Sequence, residues 1–428
     1  TQRMLATFTI SSSLWPTMDR SLPLSGLRIL DCSRVLAGPF ATMLLADLGA
    51  DVIKLEPPAG DESRGWGPPW WGDPTERRSA YFASVNRNKR DIVVDLRTDA
   101  GQALLDRLAA GADLLVHNAL PSSASRLGLD AARLRGAHPG LVVAAVGGFA
   151  GRDSELPAYD LLAQAMSGLM SVTGEPSGPP QKVGVALLDL LAGLELAVGA
   201  LAALLGRARD GHSAAAPAVE SLLGRAAGVG APPAVDVSLM EASVASLTNV
   251  LANHLATGQE PRRWGNEHPN IVPYQVFAAR DGHLAIAVGN DAQFTRFAAE
   301  LGVAVERAWS TNAGRVADRD EVVARLAAAV EGRGRDELVA ALRAADVPAG
   351  PVAGVGEALR AIEAAGDGAW LQAAGEMRLA PDPIRLDGER LPLRREPPLM
   401  GEHTDEVLTE LGMDSAAIRA LRMTGVVA

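Results

Sequence analysis

The stretch LRILDCSRVLAGPFATMLLADLGADVIKLE, Leu27 to Glu56, decides how the rest of the chain is read. It holds a short apolar run at Leu27–Leu30, helical spacing from Gly38 to Leu48, and a second short run at Val52–Leu55. Strand, helix and strand in so few residues make a βαβ unit, whose strands lie parallel because the helix crosses over one face. Further out, Ile92–Leu96, Leu114–Val116 and Leu141–Val146 are strand candidates, with helical spacing at Ala100–Leu108 and Ala124–Leu134. The alternation predicts an α/β large domain with a parallel sheet and helices on both faces. Ligands on such sheets gather beyond the carboxyl ends of the strands.

The flanks are read against that unit. Residues 1–23 are Ser/Thr-rich, carry Arg3 and Arg20 and have no acidic residue before Asp19. They read as a disordered leader, and the large domain spans 24–210. Between Tyr159 and Arg209 the pattern is helical, broken by the loop Gly174–Pro180 (GEPSGPP) and ending in an Ala/Leu-rich helix at Leu190–Arg207. An Ala/Gly/Pro-rich start marks 211–239 as a linker or insertion. The spacing predicts a nearly uncharged helix over Val235–Thr257. Tyr274–Ala279 and His283–Val288 flank an Asp-Gly turn, a hairpin signal. Pro348 to Pro351 breaks the chain after further helices. A smaller α/β domain is therefore expected at 240–350, with 351–428 returning to the large one.

Composition removes several classes of function. Of 428 residues, 48% are hydrophobic but only 4% aromatic, so the interior is aliphatic. A net charge of −11 argues against a nucleic-acid partner, which needs clustered cations. The single cysteine, Cys32, excludes an internal disulfide framework. No run approaches the roughly 20 uncharged apolar residues of a membrane span, so no membrane partner is expected. These features predict a cytoplasmic protein, or a mitochondrial one if the leader is the remnant of a transit peptide.

Common chemical signatures are missing. There is no GxxxxGK[ST], no GxGxxG at a strand–helix junction, no GxSxG and no HExxH. The seven histidines show no metal-ligand spacing, so no metal is expected; His117 and His254 read as hydrogen-bonded structural residues. Arg64, Arg77, Arg78, Arg87, Lys89 and Arg90 form a basic cluster. It fits a solvated loop or an anion clamp, and spacing leaves both open.

Taken together, several stretches resemble the class III coenzyme A transferase (CaiB/BaiF) family. They are LSGLRIL (Leu24–Leu30), Arg34–Glu56, GDESRGWGP (Gly60–Pro68), NRNKR (Asn86–Arg90), YDLLAQAMSG (Tyr159–Gly168) and GVALLDLLAG (Gly184–Gly193). RWGNEHPNIVPY (Arg263–Tyr274), Asp281-Gly282 and GEHTD (Gly401–Asp405) continue the match in order. The resemblance implies a Rossmann-like large domain, a smaller domain and an interlocked homodimer. It implies transfer of CoA from an acyl-CoA to a carboxylic acid, with the CoA thioester as substrate and no separate cofactor.

The family's nucleophilic aspartate falls on Asp189. With an ordinary carboxyl pKa near 4 it would be ionised at neutral pH and need no general base. Read by itself, Asp189 is an N-cap for the helix from Leu190, whose dipole would also favour an oxyanion. Tyr159 stands where related racemases place a histidine; a phenol, weakly acidic at neutral pH, suits hydrogen bonding better than α-proton abstraction. The resemblance maps CoA contacts onto Arg34, Val35, Leu36, Gly38, Trp66 and Asn118, with Lys89 and Arg90 for the phosphates. Leu36, Pro57 and Ala119 depart from the formyl-CoA transferase pattern. Trp264–Pro273 lacks that branch's polyglycine run and is similar to the succinyl-CoA:dicarboxylate (hydroxymethylglutarate or glutarate) branch. There Arg87 or Arg263 would hold a distal carboxylate. The alternatives are an α-methylacyl-CoA racemase or epimerase, and a catalytically silent CoA-binding protein.

Overall fold

A computed structural model describes residues 22–73, 77–209, 232–366 and 369–428. The expected leader up to residue 21, and 210–231 of the expected linker, lie outside the described residues. The described chain divides into two compact units. The large one takes the chain up to Ser167, Gly184–Thr248 and Leu371–Ala428; the small one takes Gly168–Val183 and Asn249–Trp370.

The large unit is built on six strands: β1 (Arg28–Cys32), β2 (Asp51–Glu56), β3 (Lys89–Val93), β4 (Leu114–His117), β5 (Val142–Gly147) and β6 (Val235–Ser238). Every pairing is parallel, in the order β3-β2-β1-β4-β5-β6. That is the strand order of a doubly wound Rossmann sheet, with the direction of winding reversing between β1 and β4. The helix α1 (Ala37–Asp47) connects β1 to β2, and α2 (Asp99–Ala109) leads into β4. Leu30, Ile53, Ile92, Leu115 and Val143 carry one core from strand to strand. Val407, Leu408 and Ile418 from the C-terminal segment complete it, and the Asp95 N–H donates to the Val426 carbonyl at 2.8 Å.

Four sequence expectations are revised. The helix expected at Ala124–Leu134 is two, α3 (Pro121–Leu127) and α4 (Ala131–Ala137). Gly128, at φ +72°, closes α3 in the left-handed conformation, and Asp130 caps α4 by accepting from the Arg133 N–H. Past α5 (Asp160–Met166), the helix expected from Leu190 begins three residues earlier, as α6 (Leu187–Arg209). The helix expected at Val235–Thr257 is instead β6, α7 (Leu239–Ser246) and α8 (Thr248–Thr257). Val235 and Val237 pair with β5, and the Ser238 hydroxyl then caps α7. Consequently 235–239 is not linker, α7 belongs to the large unit, and the small unit takes in 168–183 and runs to Trp370 rather than occupying 240–350.

By length and apolar composition Leu187–Ala208 would suffice to cross a membrane, which the sequence reading had not anticipated. One face of this helix is core: Leu188, Ala192, Leu196, Ala200 and Leu204 are buried. Gly193 makes the packing on α1 possible, since a Cβ there would stand 2.7 Å from the Ala37 carbonyl oxygen.

In the small unit, β7 (Tyr274–Ala279) and β8 (Gly282–Ala287) form the expected antiparallel hairpin. The Pro348–Pro351 break carries a third strand, β9 (Ala349–Pro351), paired with β8. Phe277, Leu284, Phe294, Phe297 and Trp309 fill a separate core.

Candidate active site

A cavity of about 1660 Å³ opens at the carboxyl edge of the parallel sheet. Its wall uses the residues that follow the strands, including Leu36 after β1, Pro57 after β2, Asn118 after β4 and Gly148 after β5. Drug-sized pockets usually measure ~300–1,000 Å³, so this one suits a much longer ligand. Asp189, Tyr159, Arg34, Val35, Leu36 and Asn118 all line it. Six of the ten residues expected from sequence therefore meet on one surface.

The loop after β1 is held by charge from behind. Lys54 and Lys89 are fully buried, and each donates to a buried carboxylate: Lys54 to Asp61 at 3.0 Å and Lys89 to Asp31 at 2.9 Å. Lys54 also donates to the Ser33 carbonyl and Lys89 to the Pro39 carbonyl, so the two ammonium groups pin both ends of the loop. Asp61 accepts the Val35 N–H at 3.2 Å on each oxygen. Val35 is thereby kept at φ +71°, a costly conformation for a β-branched residue. Burial alone would raise the Asp31 carboxyl, but Lys89, Lys54, Ser33 and Thr42 bring it down to about 2. Burial lowers the Lys89 ammonium to about 8 against the pull of Asp31. The network continues through Glu56, Arg64 and Asp91.

These contacts correct several sequence expectations. Lys89 and Arg90 cannot serve CoA phosphates: Lys89 is consumed by Asp31, Pro39 and Asn86, and Arg90 by Asp51, Glu406 and Glu410. Arg87, a candidate for a distal carboxylate, is buried against Asp47. Arg263 donates to the carbonyls of Ser171, Glu175 and Gly178, bracing the 168–183 segment within the small unit. Asn118 exchanges two hydrogen bonds with the Arg34 peptide, accepting at 3.0 Å and donating at 2.8 Å, and so ties the β1 and β4 loops together. Gly38 shapes the loop from behind, because a Cβ would come within 2.4 Å of the Ser33 side chain. Trp66 packs edge-on against Tyr81, with ring centroids 4.9 Å apart.

Asp189 stands in the first turn of α6, not at its cap. The Leu188 N–H donates to Asp160 at 2.7 Å and the Leu187 N–H to the Val185 carbonyl. Those two helix-terminal donors are therefore occupied rather than free for an oxyanion. Burial, and next the neighbouring Asp160 carboxylate, raise Asp189 to about 7. The expectation of an unperturbed, fully ionised nucleophile is thus corrected. Tyr159, at the entry to α5, is exposed on the cavity wall.

The sequence reading missed Tyr81, Asp160 and Arg126. Burial and the charges of Asp189, Asp160 and Asp61 push Tyr81 up to about 12, so its phenol keeps its proton. Arg97 and Arg126 add two further guanidiniums to the cavity lining beside Arg34, and nothing in the α3 sequence context of Arg126 flags it. His117 is buried and held neutral by desolvation, at about 4, but its Nδ1 has no hydrogen-bond partner among the described residues, contrary to expectation. His254 does have one, the Gln259 carbonyl. Among the described residues no group of three or more His, Cys, Asp or Glu side chains could hold a metal ion.

The sequence as a whole has close counterparts. A succinate–glutarate CoA-transferase of Agrobacterium fabrum is 37% identical over 405 residues, spanning 92% of this chain and 96% of that one. A succinyl-CoA:glutarate CoA-transferase of Mus musculus is 35% identical over 420 residues, spanning 96% and 91%. The crystal structure of a CaiB/BaiF family protein from Brucella suis superposes with a TM-score of 0.77 at 36% identity, covering 91% of this chain and 99% of that one. The profile described as CoA-transferase family III matches residues 24–404, which embraces the β1 loop, Tyr159 and Asp189 alike. The chain belongs to CoA-transferase family III and is an enzyme of that family.

Proposed function

We propose that this CoA-transferase moves CoA from succinyl-CoA to a short dicarboxylic acid of the glutarate class, with Asp189 as the covalent carrier. The observation that carries the reading is Asp189 itself, a largely buried carboxylate on the wall of a cavity roomy enough for a CoA thioester. Desolvation makes such a carboxylate more basic and less shielded by water, hence a better nucleophile once ionised.

The steps balance without a metal or resident cofactor. An Asp189 oxygen attacks the donor's thioester carbon, the C–S bond breaks, and CoA leaves as thiolate from a mixed anhydride. The thiolate attacks the Asp189 carbonyl carbon, and the donor acid departs as its carboxylate, leaving an aspartyl-CoA thioester. The acceptor carboxylate then attacks that thioester, forming a second anhydride and freeing thiolate again. Thiolate attack on the acceptor's acyl carbon releases acyl-CoA and restores Asp189. Tyr159 is suited to donate a hydrogen bond at the reacting carbonyl. Arg34, Val35, Leu36, Gly38, Trp66 and Asn118 bind or shape the site for CoA, with Gly38 and Asn118 acting through the loop. The names of the relatives support the dicarboxylate class.

A homodimer belongs to the same reading. Leu161 and Leu162 on α5 and Leu194, Val198 and Leu205 on α6 are 44–66% exposed. Apolar surface of this extent on adjoining helices favours burial against a second copy. The acidic composition and lone cysteine fit the cytoplasm.

A matrix of acyl-CoA donors against mono- and dicarboxylic acids, read by mass spectrometry, tests the assignment. Succinyl-CoA with glutarate-class acceptors should give the highest kcat/KM. Exchange of the α-proton with deuterated water, without CoA reaching another acid, would move the assignment to a racemase.

A further inference from the structure

We infer that Asp160 is a positioning residue for the nucleophile, its carboxylate supplying from α5 the cap that α6 lacks and thereby setting where Asp189 stands. The inference rests on Asp189 as the covalent carrier. Gly184, Val185 and Ala186, which precede α6, carry no side-chain oxygen, so the helix has no local residue able to cap its first turn. Asp160 fills the gap across 28 residues of sequence: one carboxylate oxygen accepts the Leu188 N–H at 2.7 Å. The other accepts from Gln164 Nε2, one turn along α5, at 2.5 Å. Asp160 is 8% exposed and Gln164 fully buried, so neither bond is in competition with bulk water. The capped residue is the immediate neighbour of Asp189. Fixing the Leu188 peptide therefore fixes the backbone from which the Asp189 side chain projects.

The arrangement carries an electrostatic consequence as well. Among the described residues no ion pair compensates either carboxylate, and Asp160 adds to the burial that keeps Asp189 partly protonated. Among the described residues the elements packed most extensively on α6 bring no cation to oppose it, and Arg207 of α6 itself is paired with Asp113. From α7 comes Glu241 and from β6 comes Asp236; β5 has no charged residue. The only charge on α1 is Asp47, paired with Arg87. Off those elements, Tyr81 is a neutral phenol near the pair, and Asp61 is engaged by Lys54. Asp160 therefore couples two properties of the nucleophile, its orientation and the pH at which it ionises.

The full-length enzyme carrying Asp160→Ala, and separately Asp160→Asn, tests this. Asp160→Ala removes the cap, and kcat should fall on the order of 10²-fold, as for a misplaced reacting group, with the acyl-CoA KM changed far less. Asp160→Asn keeps an acceptor oxygen for Leu188 but loses the charge. It should restore much of kcat and move the acid limb of the kcat–pH profile to lower pH. A merely structural Asp160 would lower the melting temperature of both variants and leave that limb where the wild type has it, which overturns the inference. So would an Asp160→Ala enzyme that traps acyl groups on Asp189 at the wild-type rate. Failure of the underlying reading looks different: wild-type enzyme would then turn over with no adduct on Asp189 at all.

Discussion

Two sets of buried carboxylates lie within one unit of this enzyme, and they are treated in opposite ways. Behind the β1 loop, Asp31 and Asp61 each meet a fully buried lysine, and Glu56 and Asp91 share Arg64. At the start of α6, Asp160 and Asp189 face each other with no cation paired to either among the described residues. In the first set Asp31, Asp61 and Glu56 are held ionised by their cations, while burial and the neighbouring Glu56 push Asp91 up, and the hydrogen bonds of Asp61 fix a strained backbone at Val35. In the second, Asp189 is pushed toward protonation and keeps a carboxyl oxygen on the cavity wall. Saturated charges serve architecture, whereas uncompensated ones mark where chemistry is done.

That contrast can be broken at three points, the largest effect first. Asp61→Leu strands Lys54 in the interior and releases the Val35 N–H, and breaking a buried pair of this kind costs about 3–5 kcal/mol. Denaturant titration should show that loss, and a change below ~1 kcal/mol would mean the pair behaves like a surface one.

Asp189→Asn should act in the other direction. A folded-state pKa near 7 against an ordinary 3.8 means the native chain keeps a proton that the unfolded chain has released over that window. Stability is therefore lost as pH rises from about 4 to 7. The neutral amide escapes the penalty, so the variant should be stabler than wild type at pH 8 by on the order of 2–4 kcal/mol. The gain should shrink toward zero near pH 4. Equal stability of the two proteins at both pH values would show that Asp189 is not desolvated.

The smallest effect belongs to the loop. Gly38→Ala places a methyl against Ser33, and overpacking of that sort costs about 1–3 kcal/mol. Because the displaced segment carries Arg34 to Leu36, the KM for acyl-CoA should rise along with the loss in melting temperature. A higher KM without any thermal shift would put Gly38 in direct contact with the ligand.

Legibility from sequence follows the same division. The βαβ pattern at Leu27–Glu56 is local, and it led correctly to a parallel sheet because strand and helix periodicities are written in neighbouring residues. Asp189, Tyr159 and Arg34 to Leu36 came from motif resemblance, and their convergence on one cavity is a property of the strand order. What stayed hidden depends on partners far along the chain. Lys89 looked like a phosphate ligand because its counter-ion, Asp31, is 58 residues away. Val235–Thr257 looked like one helix because the pairing of Val235 and Val237 with β5 is not encoded locally. Asp189 looked ionised because burial and the nearness of Asp160 are tertiary facts.

If the proposal is right, Asp189 is covalently loaded during turnover. Hydroxylamine added to enzyme turning over succinyl-CoA, followed by peptide mass spectrometry, tests it most directly. An aspartyl hydroxamate should form at residue 189, absent without donor and absent in Asp189→Ala. An unmodified Asp189 in an actively transferring preparation, or full turnover by correctly folded Asp189→Ala, would contradict it.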